Sequence, residues 1–312
     1  MTVVPLLLLL LLEGVLRVFG VGYPTRFFIP AERGTLTTNP KFAWQFYPRQ
    51  SASAPTPVLL KKEKPAGVKR VFVFGESAAE GTPDPTFSFS RMLELMLEQQ
   101  FPTNRVEIIN AAVRGIDSHI IRQIAAECAR LSPDLFIVYM GNNDMIGLHS
   151  PTPGEWNGLK RPALIRFEHA IKRTRIAQLF ESGLRRSAAV PAKPRRQDME
   201  FMRTQRLAFD DPARAVVYRN YRSNLESICK TAARAGAKTI VCSVGVNLHD
   251  LPPLQSMHRN DLSPAQLAEW SALYNAGSKA ESNREFDAAL KQFRAAALID
   301  DHHADLLYRI AR

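Results

Sequence analysis

Cysteine is scarce in this chain: Cys128, Cys229 and Cys242 are the only three among 312 residues. Their spacing gives neither a disulfide framework nor a metal-ligand set. Each falls in a helical or strand-like pattern, where a thiol serves as a small buried hydrophobe. Nucleic-acid-binding signatures are also lacking. No helix-turn-helix, zinc-finger or RNA-binding pattern accompanies the net charge of +11. Most of that charge is local, since residues 160–222 hold 16 Lys or Arg against 6 Asp or Glu. With no base-reading element beside it, this excess reads as a basic helical face suited to anionic lipid or polysaccharide, and no nucleic-acid partner is expected.

Long hydrophobic runs are missing too. Leu6–Leu12 is seven leucines, whereas a helix needs about 20 apolar residues to cross a bilayer. The run reaches Val21 only by tolerating Glu13 and Arg17, no Lys or Arg precedes it, and no small-residue cleavage site follows it cleanly. Residues 1–23 are therefore expected to be a hydrophobic anchor or leader whose first residues lie outside this reading frame, with a buried core helix as the alternative. A membrane-anchored or exported, extracytoplasmic protein follows from that reading.

What is present is an ordinary globular composition, 46% hydrophobic and 23% charged, long enough for one large domain and an appendage. Three apolar runs stand out: Val71-Phe72-Val73-Phe74, Val106-Glu107-Ile108-Ile109 and Leu135-Phe136-Ile137-Val138-Tyr139. Such β-branched and aromatic runs predict strands buried on both faces of a parallel sheet. Each ends in a short polar block: Gly75-Glu76-Ser77, Asn110-Ala111-Ala112-Val113-Arg114-Gly115 and Gly141-Asn142-Asn143-Asp144. Reacting groups collect beyond the carboxyl ends of parallel strands. A serine, a glycine amide and an asparagine side chain placed there can form a nucleophile with an oxyanion hole.

These blocks resemble, in order, the first three of the SGNH (GDSL-type) hydrolases, a family of serine esterases and acylhydrolases. The first block reads G-E-S here where the family has G-D-S. The resemblance implies Ser77 as nucleophile, with the amides of Ser77 and Gly115 and the side chain of Asn143 binding the oxyanion. It also implies a flavodoxin-like three-layer α/β/α fold with a parallel sheet, and no metal or cofactor. It spans residues 68–250, with a helical insertion at 147–217. Glu76 is expected to cap or orient the Ser77 turn. Asp144 either holds the Asn143 amide or caps the loop.

Further along, helical spacing predicts helices over 87–100, 118–131, 164–184 and 218–235, the last stopped by Gly236, and then a fourth strand over 239–244. Residues 24–67, with seven prolines, read as an extended linker, and 188–196 as a flexible one. From Leu262 the pattern is helical, and the offsets of Leu273, Gly277, Ala280, Ala289, Phe293 and Ala296 resemble a tetratricopeptide repeat. The segment 262–312 is thus expected to be a truncated repeat, able to take a protein partner.

A serine nucleophile needs a base and a group that orients it. The resembling family places these in a D-x-x-H motif, which Asp300-Asp301-His302-His303 matches formally. No fifth strand precedes it, and polar residues are expected at a turn between repeat helices. The Asp and His are accordingly expected beyond residue 312. His119, read as capping the helix after the second block, and His249, read as shaping a pocket, are the other histidines considered. The expected activity is hydrolysis or transfer of an acyl group on a small-molecule, glycan or lipid ester. A catalytically inactive scaffold is the alternative.

Overall fold

The computed structural model describes residues 3–150, 161–187, 207–208 and 211–312. Two compact units divide the chain: Met1–Gln205 with Pro212–Val244, and Arg206–Asp211 with Gly245–Arg312.

The first unit is built on four parallel strands, β4 (Val68–Gly75), β5 (Arg105–Asn110), β6 (Leu135–Tyr139) and β7 (Lys238–Val241), in the order β5-β4-β6-β7. Register aligns Phe72 with Ile109 on one side and with Phe136 on the other. A short helix, α2 (Ser77–Glu80), follows β4 directly. The chain then moves outward to β5 through α3 (Phe89–Gln100) and returns past β4 to β6 through α4 (Ser118–Cys128). With right-handed crossovers, that reversal places α3 and α4 on opposite faces. Side-chain alternation agrees. Phe72, Phe74 and Phe136 pack with Ile120, Ile121 and Ile124 of α4 and with Ile228 and Ala232 of α7 (Ala213–Arg234). Val71, Val73 and Ile137 pack with Phe89 and Leu93 of α3 on the other face. The expected three-layer α/β/α arrangement is therefore present, with strands within a few residues of the expected bounds.

Residues 24–67 are a correction. Despite their prolines they form an antiparallel sheet, β1 (Phe28–Pro30), β2 (Thr35–Thr38) and β3 (Leu59–Lys61). Phe27, Phe28, Phe42, Phe46, Tyr47 and Leu60 enter the main core beside Phe72. The prolines sit at strand ends and in connections, where no ladder N–H is needed, so the segment is part of the domain and not a linker. The expected helix over 164–184 is also revised. It is two helices, α5 (Pro162–Lys172) and α6 (Arg175–Ser187). The expected linker at 188–196 lies outside the described residues. The leucine run lies in α1 (Val3–Val18), and among the described residues no helix is long and apolar enough to cross a membrane.

Among its described residues the second unit has three helices, α8 (Pro264–Ser282), α9 (Phe286–Ile299) and α10 (Ala304–Ala311). Trp270, Ala289, Phe293, Ala296 and Leu306 form its core. Gly277 is required by packing, because a Cβ there would lie 2.6 Å from the Phe293 ring.

Arg70 ties four segments of the first unit together. Its side chain is 0% exposed, and it donates to Glu107 (2.7 Å), Leu131 O (2.8 Å) and Lys61 O (2.9 Å). A buried guanidinium is tolerated only when its hydrogens are placed in this way. Arg70→Ala strands these acceptors and should cost about 3–5 kcal/mol in urea unfolding. A loss of about 1 kcal/mol or less, the worth of an exposed pair, would show that the three bonds do not hold the layers.

Candidate active site

At the end of β4 the chain must turn sharply beneath its neighbour. A Cβ on Gly75 would collide with Tyr139 O and Ala79 Cβ, so the position takes no side chain. Glu76 follows in extended backbone (φ −110°, ψ −156°), and Ser77 opens α2, half-buried. The Glu76 side chain runs inward from this turn. One carboxyl oxygen accepts from Gly141 N and the other from Asn143 N, both at 3.1 Å. The first and third blocks are thereby clamped by one residue. Glu76 orients the loops around Ser77 rather than capping α2 with its side chain.

The second block is fixed from both sides. Asn110 donates to Ala79 O (2.8 Å) and Ser90 Oγ (2.9 Å) and accepts from Ala112 N (3.1 Å). Val113 N donates to Gly75 O at 3.3 Å. Gly115 adopts φ +80°, a left-handed conformation that glycine alone takes freely, and its carbonyl accepts from Tyr47 Oη at 2.5 Å. Next to it, Ile116 O accepts from Asn143 Nδ2 at 2.8 Å. Asn143 is buried, and this bond uses one of its two amide hydrogens. Ser77, Gly115 and Asn143 thus stand on three loops joined by direct hydrogen bonds.

Around them lies a polar cluster that the sequence did not reveal. Asp117 is the N-cap of α4, accepting from His119 N and Ile120 N, and it also bonds His149 Nδ1 at 2.7 Å. His149 Nε2 lies 3.1 Å from His169 Nε2, so both its ring nitrogens are engaged. Asp144 accepts from Ser118 Oγ (2.5 Å) and Ser118 N (3.2 Å), while Asn224 donates to the same hydroxyl (2.9 Å). Asp144 therefore serves the start of α4 and does not hold the Asn143 amide. His119 is inside α4, buried, its Nδ1 without a hydrogen-bond partner among the described residues. The expected cap is Asp117 instead. These residues lie far apart in sequence, and no spacing signal links them.

Burial sets the charges here. It pushes Glu76 up to about 8, against the two amides, with Asp144 and Asp117 adding repulsion. Burial also raises Asp144, with Asp117's charge adding to it. The same burial would raise Asp117, but the hydrogen bonds and charge of His149 hold it well below the usual carboxylate range. Desolvation depresses His119 to about 4 and His169 to about 3.

The remaining histidines are committed elsewhere. In the second unit, Asp300 is buried and bonded to His258 Nδ1 at 2.7 Å, while His303 caps α10 through Leu306 N and packs 4.5 Å from the Trp270 ring. His249 is exposed beside Asp250 in that same unit. Among the described residues, no hydrogen bond joins the Ser77 hydroxyl to an imidazole.

No family model matches the chain, and no curated protein matches it. Among solved structures it is similar to TesA (16% identity, 74% of this chain and 73% of that one, TM-score 0.31). It is similar also to AlinE4, an SGNH-hydrolase family esterase (20% identity, 70% and 98%, TM-score 0.28). A third is a single-residue variant of Axe2, an acetyl xylan esterase from Geobacillus stearothermophilus (11% identity, 57% and 78%, TM-score 0.28). Likenesses at these TM-scores add nothing to what the strands and loops show directly.

The shifts of the buried groups have a measurable sign. Glu76 is raised in the fold, so its contribution to stability is present at low pH and is lost as pH climbs from about 4.5 towards about 8. His119 and His169 are depressed, so the unfolded chain binds protons that the fold refuses below about 6.5, and stability falls with falling pH there. Asp144 is raised as well and loses stability in the same direction as Glu76, so the two carboxyls and the two histidines offset one another between about pH 4.5 and about pH 6.5. Thermal melts should show level stability there and a decline from about pH 6.5 up to about pH 8. Glu76→Gln should flatten the alkaline limb. An unchanged limb would mean that the carboxyl is already ionised in the fold.

Proposed function

We propose that this chain is built as a serine-dependent ester hydrolase or acyl transferase, with Ser77 as nucleophile and an oxyanion site from the Ser77 and Gly115 amides and the Asn143 side chain. The observation that supports it is the pair of bonds Glu76–Asn143 N and Asn143 Nδ2–Ile116 O. Together they set the asparagine and the glycine loop beside the serine turn, with one Asn143 amide hydrogen left to donate. Such donors act on charge that develops as a carbonyl is attacked. An acylated polysaccharide or a lipid ester is the substrate class that fits an extracytoplasmic, membrane-associated chain, and the helices of the second unit are the surface for a protein partner.

One observation favours a second reading, an SGNH-like scaffold without turnover. Both nitrogens of His149 are occupied, and the Ser77 hydroxyl has no imidazole partner among the described residues. A serine without a base is hardly activated.

A fluorophosphonate probe separates the two. Labelling of the full chain that disappears in Ser77→Ala supports the hydrolase, and a wild-type chain that stays unlabelled supports the scaffold. Asn143→Ala should lower hydrolysis of a short acyl ester about 100- to 1000-fold. It should also cost about 1–3 kcal/mol, because Ile116 O loses its donor. Activity must therefore be read well below the variant's melting temperature. Loss of stability without loss of rate would make Asn143 purely structural.

A further inference from the structure

A cavity of about 490 Å³ opens where the chain leaves the leucine-rich helix α1, walled by Tyr23, Trp44, Arg49, Gln178, Glu181 and Ser182 among others. Its lining is unbalanced in a specific way. The Arg49 guanidinium lies 4.8 Å from the centre of the Trp44 ring and 5.8 Å from that of Tyr23, and those rings meet edge to face at 5.5 Å. A guanidinium held over aromatic rings can still donate through its N–H groups, and Arg49 has no carboxylate partner among the described residues. Lys41 adds a second cation 5.3 Å from the Trp44 ring.

Gln178 supplies the second, independent observation. It is 6% exposed, yet among the described residues its Nε2 has no hydrogen-bond partner. The amide cannot be turned round to relieve this. Its Oε1 accepts from Tyr23 N (2.9 Å) and Arg175 Nη1 (3.2 Å), two groups that only donate. Gly22 (φ +85°) makes the approach possible, because a Cβ there would collide with Gln178 Oε1. A buried donor left unmade costs about 1–3 kcal/mol, so a native site of this kind calls for an acceptor. Glu181, the one carboxylate among these wall residues, has a partner of its own.

The surroundings say where such an acceptor comes from. Leu7 to Leu12 of α1 are 44–65% exposed, Leu179 of α6 is an exposed residue of the cavity wall, and its neighbour Phe180 is exposed too. α1 is pinned against α6 by Glu13, which accepts from Arg175 N and Ile176 N at the start of that helix. Apolar side chains beside a cation-lined, donor-rich recess match the boundary between acyl chains and headgroups. We propose that this cavity binds a phosphate group, and that the phosphate is that of a lipid headgroup, held by the Arg49 fork and the Gln178 amide while the leucines enter the acyl layer. The site shares no residue with the Ser77 cluster and does not depend on turnover there.

The test uses the full chain with three probes: phosphatidylcholine vesicles, the same vesicles containing phosphatidylglycerol, and inorganic phosphate. Gln178→Glu keeps the acceptor that holds Tyr23 N but replaces the free donor with an oxygen. Arg49→Gln removes the fork, and Arg49→Lys keeps charge without it, a second variant should the first fail to fold. Arg222→Gln, which removes an exposed cation of α7, controls for bulk charge. In vesicle flotation, binding to the anionic vesicles should fall roughly tenfold in the Gln178 and Arg49 variants, the loss expected of one charge-assisted bond, with Arg222→Gln unchanged. Equal losses in all variants, or none in any, would overturn the site. Stabilisation by inorganic phosphate that needs Gln178 and Arg49, without vesicle binding that needs them, would overturn the lipid as source.

Discussion

Glu76 carries the constraint on which the candidate site depends. Three loops leave the sheet separately, and nothing in a parallel β-sheet obliges their tips to share a geometry. A carboxyl group reaching from the first loop to two backbone amides of the third does so at the cost of burying an acid. That cost is visible in the direction of its shift, towards the protonated form. A shorter side chain at 76 would bring the third loop nearer the serine turn or leave Gly141 N and Asn143 N unmade, so the glutamate sets the spacing of the pocket.

The topology explains why the loops meet there at all. Because the chain begins in the interior at β4, steps to β5 and returns to β6, the carboxyl ends of β4 and β6 flank the point where the connections diverge to opposite faces. Ser77 and Asn143 sit on either side of that point. Gly115 comes from the far neighbour, β5, and reaches them because Val113 N is bonded back to Gly75 O and Ile116 O to Asn143.

Much of this was legible in the sequence, and the parts that were not have identifiable causes. The runs at 71–74, 106–109 and 135–139 stand out because strands buried on both faces have no polar alternation to disguise them. The residues that end them inherit their placement from the strands. The β1–β3 sheet was hidden by the prolines around its short strands, and its pairing of Thr37 with Leu59 spans a long, proline-rich connection rather than a tight hairpin turn. The division of the insertion between α5 and α6 turns on Arg173 and Thr174, which are ordinary helix residues. Glu13, more than 160 positions away, accepts the first amides of α6 and so stabilises the break.

The Asp117–His149–His169 chain was out of reach for a further reason: its members come from a helix cap, a loop and an inserted helix. It also changes how the carboxylates at this edge of the sheet are understood. Three acids, Glu76, Asp117 and Asp144, are buried within electrostatic reach of one another, and they cannot all ionise at once. The histidines break the tie. Of the three acids His149 bonds only Asp117, so that carboxyl keeps its charge, while Glu76 and Asp144 are driven towards neutrality. Driving Glu76 towards neutrality lessens the negative charge beside the serine turn. The histidine cluster thus shapes the electrostatics of this edge of the sheet through Asp117, and among the described residues it makes no hydrogen bond to the Ser77 hydroxyl.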